Sequence, residues 1–195
     1  MSARPAGGTS APAARSVCPA EHAGWLSTPL RRLVTAPKRL LRGLVGPGDT
    51  AVDLGCGPGF FTLPLAEMVG SGGSVIAVDL QKAMLDKVKS RAEHKSLEAR
   101  IRLHQCTADS LDLDGECADF ALAFWMVHEV PDAPRFFHDV HHVLRVGARL
   151  LLVEPKGHVN GDDFERTVSL AVAAGQRRLT RPRVAFSRAA LFERL

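Results

Sequence analysis

The sequence predicts an α/β protein built on a doubly wound, mostly parallel sheet of seven strands that ends in an antiparallel hairpin. Three observations carry this. Strand-like and helix-like periodicities alternate from Thr50 to Ala174. The strands Asp119–Trp125 and Arg149–Glu154 are apolar through their interiors, as strands covered on both faces must be. Beyond Ala174, the segments Gln176–Val184 and Ala189–Glu193 read as strands with no room for a crossover helix, so they must pair antiparallel.

Each element has its own justification. Residues 1–16 are rich in Ala, Pro, Gly and Ser and predict a flexible tail. From Ala20 to Leu44 apolar residues fall near helical spacing, interrupted by Pro29 and Pro37, which predicts two short amphipathic helices. Gly46-Pro47-Gly48-Asp49 is a turn, and the strand Thr50–Leu54 follows. A helix over Gly59–Val69, a turn from Gly70 to Gly73 and a strand over Ser74–Asp79 complete the first strand–helix–strand unit. Then come a helix over Gln81–His94, a strand over Arg100–Gln105, the apolar strand Asp119–Trp125 and a helix over Ala133–Leu144. The strand Arg149–Glu154 and a helix over Asp162–Ala174 lead into the hairpin. The predicted organisation is a tail over 1–16 and a single domain over 17–195, with 17–45 as a helical cap or lid.

The 195 residues are about the size of one domain, and 46% hydrophobic with 24% charged residues is ordinary for a globular chain. No apolar run approaches the ~20 residues of a membrane span. The net charge of +4 is unevenly spread. Residues 1–45 carry seven basic side chains against Glu21, and residues 165–195 carry seven arginines against two glutamates. The middle is acidic, which argues against a uniformly basic nucleic-acid binder. Cys18, Cys56, Cys106 and Cys117 follow no metal-ligand or disulfide-framework spacing, so no metal is expected and the cytoplasm is the expected location.

The segment Asp53-Leu-Gly-Cys-Gly-Pro-Gly-Phe60 joins the first strand to the first helix. Gly55 permits a tight turn at positive φ, Gly57 lets backbone approach a ligand, and Gly59 sits at the expected helix start. The third glycine comes one residue earlier than in a dinucleotide-binding loop, and Phe60 occupies the place a pyrophosphate would need open. Asp53 would repel a pyrophosphate but suit a cationic ammonium or sulfonium. Asp79 ends the second strand about 20 residues on, where a carboxylate accepts from ribose hydroxyls. The pattern predicts a nucleoside ligand with a cationic amino-acid arm and no phosphate.

The run D-L-G-C-G-P-G-F-F-T followed by V-I-A-V-D-L resembles the class I S-adenosylmethionine-dependent methyltransferases. It is most similar to their type 11 group, which includes the ubiquinone/menaquinone C-methyltransferases. The resemblance covers Asp49 to Pro155 and implies a Rossmann-like fold with S-adenosyl-L-methionine as cofactor. It implies that Asp53 lies near the methionine amino group, that Gly55, Cys56, Gly57, Gly59 and Phe60 line the methionine and ribose side, and that Asp79 holds the ribose. Leu80 and Met84 are implied near the adenine. The family acid that accepts from the adenine amino group is Thr107 here, so the acceptor is either the weaker Thr107 hydroxyl or the nearby Asp109, with backbone contacts expected from Ala108.

Phe124 and Trp125 end the fourth strand and read either as core aromatics or as an apolar wall beside the methyl group. His128 reads as a general base or as a structural polar contact. Glu129 is its neighbour and would point elsewhere if the stretch is helical. The chain has no Tyr, which leaves His128, Glu129, Glu154, His158 and His22 as proton acceptors. Trp125, His128 and Glu129 are therefore the catalytic candidates. Cys18, His22 and Trp25 are candidates for a lid, and Arg31 and Arg32 suggest an anionic acceptor at the mouth. The implied function is methyl transfer to a small-molecule acceptor, releasing S-adenosylhomocysteine. The partner is then a small molecule, with neither nucleic acid nor membrane, and the enzyme a monomer or homodimer. The alternatives are an RNA or protein methyltransferase, favoured by the basic ends, and a non-catalytic cofactor-binding partner protein.

Overall fold

The first described element, α1 (Pro37–Leu41), opens on a proline, which fits the first helical turn because its missing N–H has no intrahelical use there. The computed structural model describes residues 36–115 and 117–195. The expected tail over 1–16 and residues 17–35 of the cap over 17–45, including Cys18, His22, Trp25, Arg31 and Arg32, lie outside the described residues.

The strands are β1 (Thr50–Leu54), β2 (Ser74–Asp79), β3 (Ile101–Gln105), β4 (Ala118–Phe124), β5 (Leu144–Pro155), β6 (Gln176–Thr180) and β7 (Ser187–Arg194). They form one sheet in the order β3-β2-β1-β4-β5-β7-β6. The first five run parallel, and β7 pairs antiparallel with both β5 and β6. This is the predicted seven-stranded Rossmann-like sheet. Apolar residues alternate between two buried clusters, one on each face: Leu150 and Leu152 of β5 join one, and Leu151 and Val153 the other. That division explains why β4 and β5 read as continuous apolar runs.

The helices are α2 (Thr62–Val69), α3 (Lys82–Glu93), α4 (Ala133–Val143) and α5 (Gly161–Ala173). Two starts carry side-chain caps. Asp132 accepts from the Arg135 amide at 3.0 Å, and Asn160 accepts from the Asp163 amide at 2.9 Å. Each such cap contributes about 1 kcal/mol.

Three boundaries differ from expectation by more than two residues. Helix α2 begins at Thr62 and not at Gly59, because the loop needs positive φ at Gly55, Gly57 and Gly59. Strand β5 begins at Leu144, five residues early: Leu144 pairs with Ala118, and a register shift before Phe120 absorbs the irregularity at Gly147. Strand β6 stops at Thr180, since Pro182 cannot donate to a ladder. Among the described residues no helix is long and apolar enough to cross a membrane.

Candidate active site

Strand order reverses between β1 and β4, the place where an open α/β sheet binds ligands. A cleft of about 670 Å³ lies there, built from the glycine loop, the ends of β1, β2, β4 and β5, and the segments after β3 and β4. Its volume falls within the ~300–1,000 Å³ of small-molecule sites.

The glycine loop is held by backbone and by one carboxylate. The Cys56 amide donates to the Val78 carbonyl at 2.9 Å, tying the loop to β2. Asp79 accepts the Gly57 amide on one oxygen and the Gln81 amide on the other, each at 2.9 Å. One side chain thus joins both loops that face the cleft. Burial pushes the Asp79 carboxyl above its ordinary range, the two amides pull it back, and Glu129 across the cleft adds to the rise. Asp53, 2% exposed, accepts the Thr62 hydroxyl at 2.6 Å. The same carboxylate and Asp79 reinforce the effect of burial on Cys56, whose thiol is pushed well above its usual range, away from the reactive thiolate.

The aromatic side is continuous. Phe60, Phe61, Phe124 and Trp125 follow one another with ring centroids 5.1, 4.5 and 5.2 Å apart. Trp125 has φ of 60°, a conformation that costs a bulky residue about 1–2 kcal/mol. Two bonds hold it there: its amide donates to the Val153 carbonyl at 2.7 Å, and its indole Nε1 donates to the Ser187 hydroxyl at 2.9 Å. Phe124 is buried, and both Phe124 and Trp125 line the cleft.

His128 sits in a 3₁₀ turn, Val127–Glu129. Its Nδ1 lies 2.6 Å from Oε2 of Glu154, a carboxylate only 1% exposed at the end of β5. Oε1 of Glu154 accepts the Val127 amide at 2.8 Å. Glu129 does not point away: it lines the cleft, with Oε1 3.8 Å from His128 Nε2. The His158 ring lies edge-on to His128 at 5.5 Å.

Leu80, Met84, Thr107 and Ala108 line the opposite end. The Thr107 hydroxyl accepts the Ser110 amide at 3.1 Å and so serves its own loop as well as the cleft. Cys106 lines this end too, its thiol pushed up to about 11 by burial, with Asp79 adding to the rise.

Of the predicted cofactor-binding residues and the catalytic candidates Trp125, His128 and Glu129, all but Gly59 line this cleft. An added Cβ at Gly59 would meet Val88 Cγ2 at 3.2 Å, so that glycine serves packing against α3. Sequence reasoning did not single out Thr62, Met126, Phe186 or Ser187. Glu154 was a candidate only as a proton acceptor, not as the partner of His128. The parallel pairing of Phe124 with Val153 would have placed Glu154 beside the segment after β4. Ser187 and Phe186 arrive through the β6–β7 loop, for which no local signal existed. Among the described residues, the lining holds the carboxylates of Asp53, Asp79, Asp109, Glu129, Asp132 and Asp139 but no lysine or arginine. The expected anionic acceptor rested on Arg31 and Arg32, which are not described.

Comparison with known proteins gives a consistent result. A family model described as "Methyltransferase domain" matches residues 51–147. The chain is 31% identical over 116 residues to a demethylmenaquinone methyltransferase of Lactobacillus johnsonii, covering 60% of this chain and 48% of that protein. It is 32% identical over 108 residues to a 2-phytyl-1,4-naphtoquinone methyltransferase of Nostoc, covering 55% and 47%. The chain thus spans about half the length of the curated relatives it matches. Among solved structures, a SAM-dependent methyltransferase from Aquifex aeolicus superposes with a TM-score of 0.83 at 20% identity, over 92% of this chain and all of that one.

Proposed function

We propose, from the premise that this chain belongs to the class I S-adenosylmethionine-dependent methyltransferases, that it methylates a small-molecule acceptor and releases S-adenosylhomocysteine. One observation carries the reading: the glycine loop, Asp79, the aromatic side and His128 all open onto a single cleft lined by carboxylates. Quinone-methylating relatives support a small organic acceptor.

The donor set fits the cofactor. S-adenosylmethionine is a cation, and a lining of carboxylates with no lysine or arginine among the described residues favours one. Each Asp79 oxygen accepts one amide and retains a second lone pair, enough for two ribose hydroxyls. Asp53 places negative charge on the methionine side, with Gly55, Cys56, Gly57 and Phe60 around it. Leu80, Met84, Thr107 and Ala108 bound the adenine. When bound, the cofactor supplies an electrophilic methyl carbon.

The chain's own residues do the rest. Phe124 and Trp125 exclude water from the transfer axis and offer ring faces to positive charge. The rigid strand ends hold the reactants at the ~3–3.5 Å that in-line displacement requires. His128 takes the proton from an acceptor that carries one, and Glu129 lies beside it at the acceptor end. The enzyme works in the cytoplasm as a monomer or homodimer.

The test is a turnover screen that follows S-adenosylhomocysteine release across phenols, other hydroxyls, thiols, amines and carbon acids. Calorimetry should show micromolar cofactor binding. Absence of binding at millimolar ligand would overturn the reading.

A further inference from the structure

We infer that Glu154 is a positioning residue that fixes the tautomer of His128, so that Nε2 is the nitrogen that takes the acceptor's proton. This rests on the methyl-transfer reading above.

The argument begins with the sheet. Glu154 follows Val153, which pairs with Phe124 at the end of β4, and Glu154 itself pairs with Arg188 of β7. The strand end that carries it is therefore held by β4 up to Val153 and by β7 at Glu154 itself, and its side chain is 1% exposed. The two carboxylate oxygens have separate tasks. Oε1 accepts the Val127 amide at 2.8 Å, which anchors the turn carrying His128. Oε2 lies 2.6 Å from His128 Nδ1.

A carboxylate only accepts hydrogen bonds, so Nδ1 must carry the hydrogen in this pair. Neutral imidazole has one N–H, and Nε2 then bears the lone pair. Nδ1 is pinned against a buried strand end, while His128 lines the cleft. A bound S-adenosylmethionine would supply the methyl group to the acceptor's electron pair, its sulfur keeping the carbon–sulfur pair. Nε2 of His128 would take the acceptor's proton, and Glu154 would face the resulting imidazolium as a counter-ion.

Glu154→Gln distinguishes this role from simple packing. Glutamine has the same shape, but it offers one acceptor oxygen and one donor nitrogen. With the oxygen on the Val127 amide, its NH₂ faces Nδ1 and makes Nδ1 the acceptor. The hydrogen then moves to Nε2, which can no longer take a proton. Glu154→Asp keeps the carboxylate on a shorter arm and should retain the original tautomer.

The experiment uses the full chain labelled with ¹⁵N-histidine, without cofactor or acceptor, and reads long-range ¹H–¹⁵N couplings with the ring neutral. The His128 signal is assigned by its loss in His128→Asn. The expected result is an Nδ1–H tautomer in the wild type and in Glu154→Asp, and an Nε2–H tautomer in Glu154→Gln. In the turnover assay Glu154→Gln should lower kcat about a hundredfold, with cofactor Kd within about twofold of wild type, because Glu154 does not bind the cofactor in this scheme. Glu154→Asp should recover part of the loss. An Nε2–H tautomer in the wild type would overturn the inference, even if Glu154→Gln fails to fold. An unchanged tautomer or unchanged kcat in a folded Glu154→Gln would overturn it as well. Failure of the wild type to bind cofactor would instead sink the methyl-transfer reading and leave the tautomer result standing.

Discussion

Removing the Asp79 carboxylate is the most direct perturbation of the cofactor cleft. Its two oxygens each hold one loop amide at 2.9 Å, which aims their remaining lone pairs at the cleft. Hydrogen bonds to a charged acceptor contribute about 1.5–3 kcal/mol each. Two bonds to ribose hydroxyls lost in Asp79→Ala amount to about 3 kcal/mol at the lower bound, near a hundredfold in Kd at 1.4 kcal/mol per tenfold. Water entering the vacated space recovers part of this, so at least tenfold weakening is the working expectation. Isothermal titration with S-adenosylhomocysteine measures it. Asp79→Asn is the control, because it keeps the shape and one acceptor oxygen and should lie between the two. Stability adds a second readout with a definite sign. Burial raises the folded-state pKa of Asp79 above its ordinary 3.8, so between those two values the folded state binds more protons than the unfolded one. The wild type therefore loses stability as pH rises through that window, and Asp79→Asn should flatten this component. A Kd for Asp79→Ala within twofold of wild type would refute the ribose assignment.

Four further outcomes are expected. His128→Ala should lower kcat about a hundredfold while leaving cofactor Kd within about twofold, as steady-state kinetics and calorimetry would show; equal kcat would make His128 scaffold. Gly55→Ala would bring a Cβ within 2.9 Å of Met126 Cβ and Cγ at a φ of 64°, so urea unfolding should show a loss of about 2–4 kcal/mol. Phe137→Ala, at a fully buried position, should cost about 3–5 kcal/mol in the same assay. Hydrogen bonding from Lys38, with help from Lys95, holds the Glu67 carboxyl below its usual range, and the resulting stability is present at neutral pH and lost as pH falls; Glu67→Gln should therefore narrow the gap between neutral and acid unfolding midpoints by a small amount, since these surface charges are screened.

The sheet was legible because its signals are local and repeated. Strands β4 and β5 announce their two-sided burial, and the glycine loop and Asp79 stand at the ends of successive strands, a spacing visible in the sequence. Boundaries set by long-range pairing were not legible. Strand β5 reaches back to Leu144 because Ala118 is there to pair with it, and nothing near Leu144 says so. The same holds within the site. His128 is visible as a residue type, but its partner Glu154 stands 26 positions away and is found only through strand register. Glu129 was expected to point away on the assumption of a regular helix, whereas a tight 3₁₀ turn keeps it on the cleft. The bond between Thr107 and Ser110 likewise depends on a loop closure that spacing alone does not fix.

The carboxylate lining has a consequence for product exchange. Methyl transfer turns a sulfonium into a neutral thioether, so the ligand that leaves carries one positive charge fewer than the one that entered. Among the described residues, six acidic side chains and no lysine or arginine face that change. On the proposed reading, the attraction that would draw the charged ligand in is therefore partly switched off by methyl transfer. Added salt screens exposed charges over about 10 Å at 0.1 M, so it should raise the Kd of the methylated form more than that of the demethylated form and narrow the difference between them.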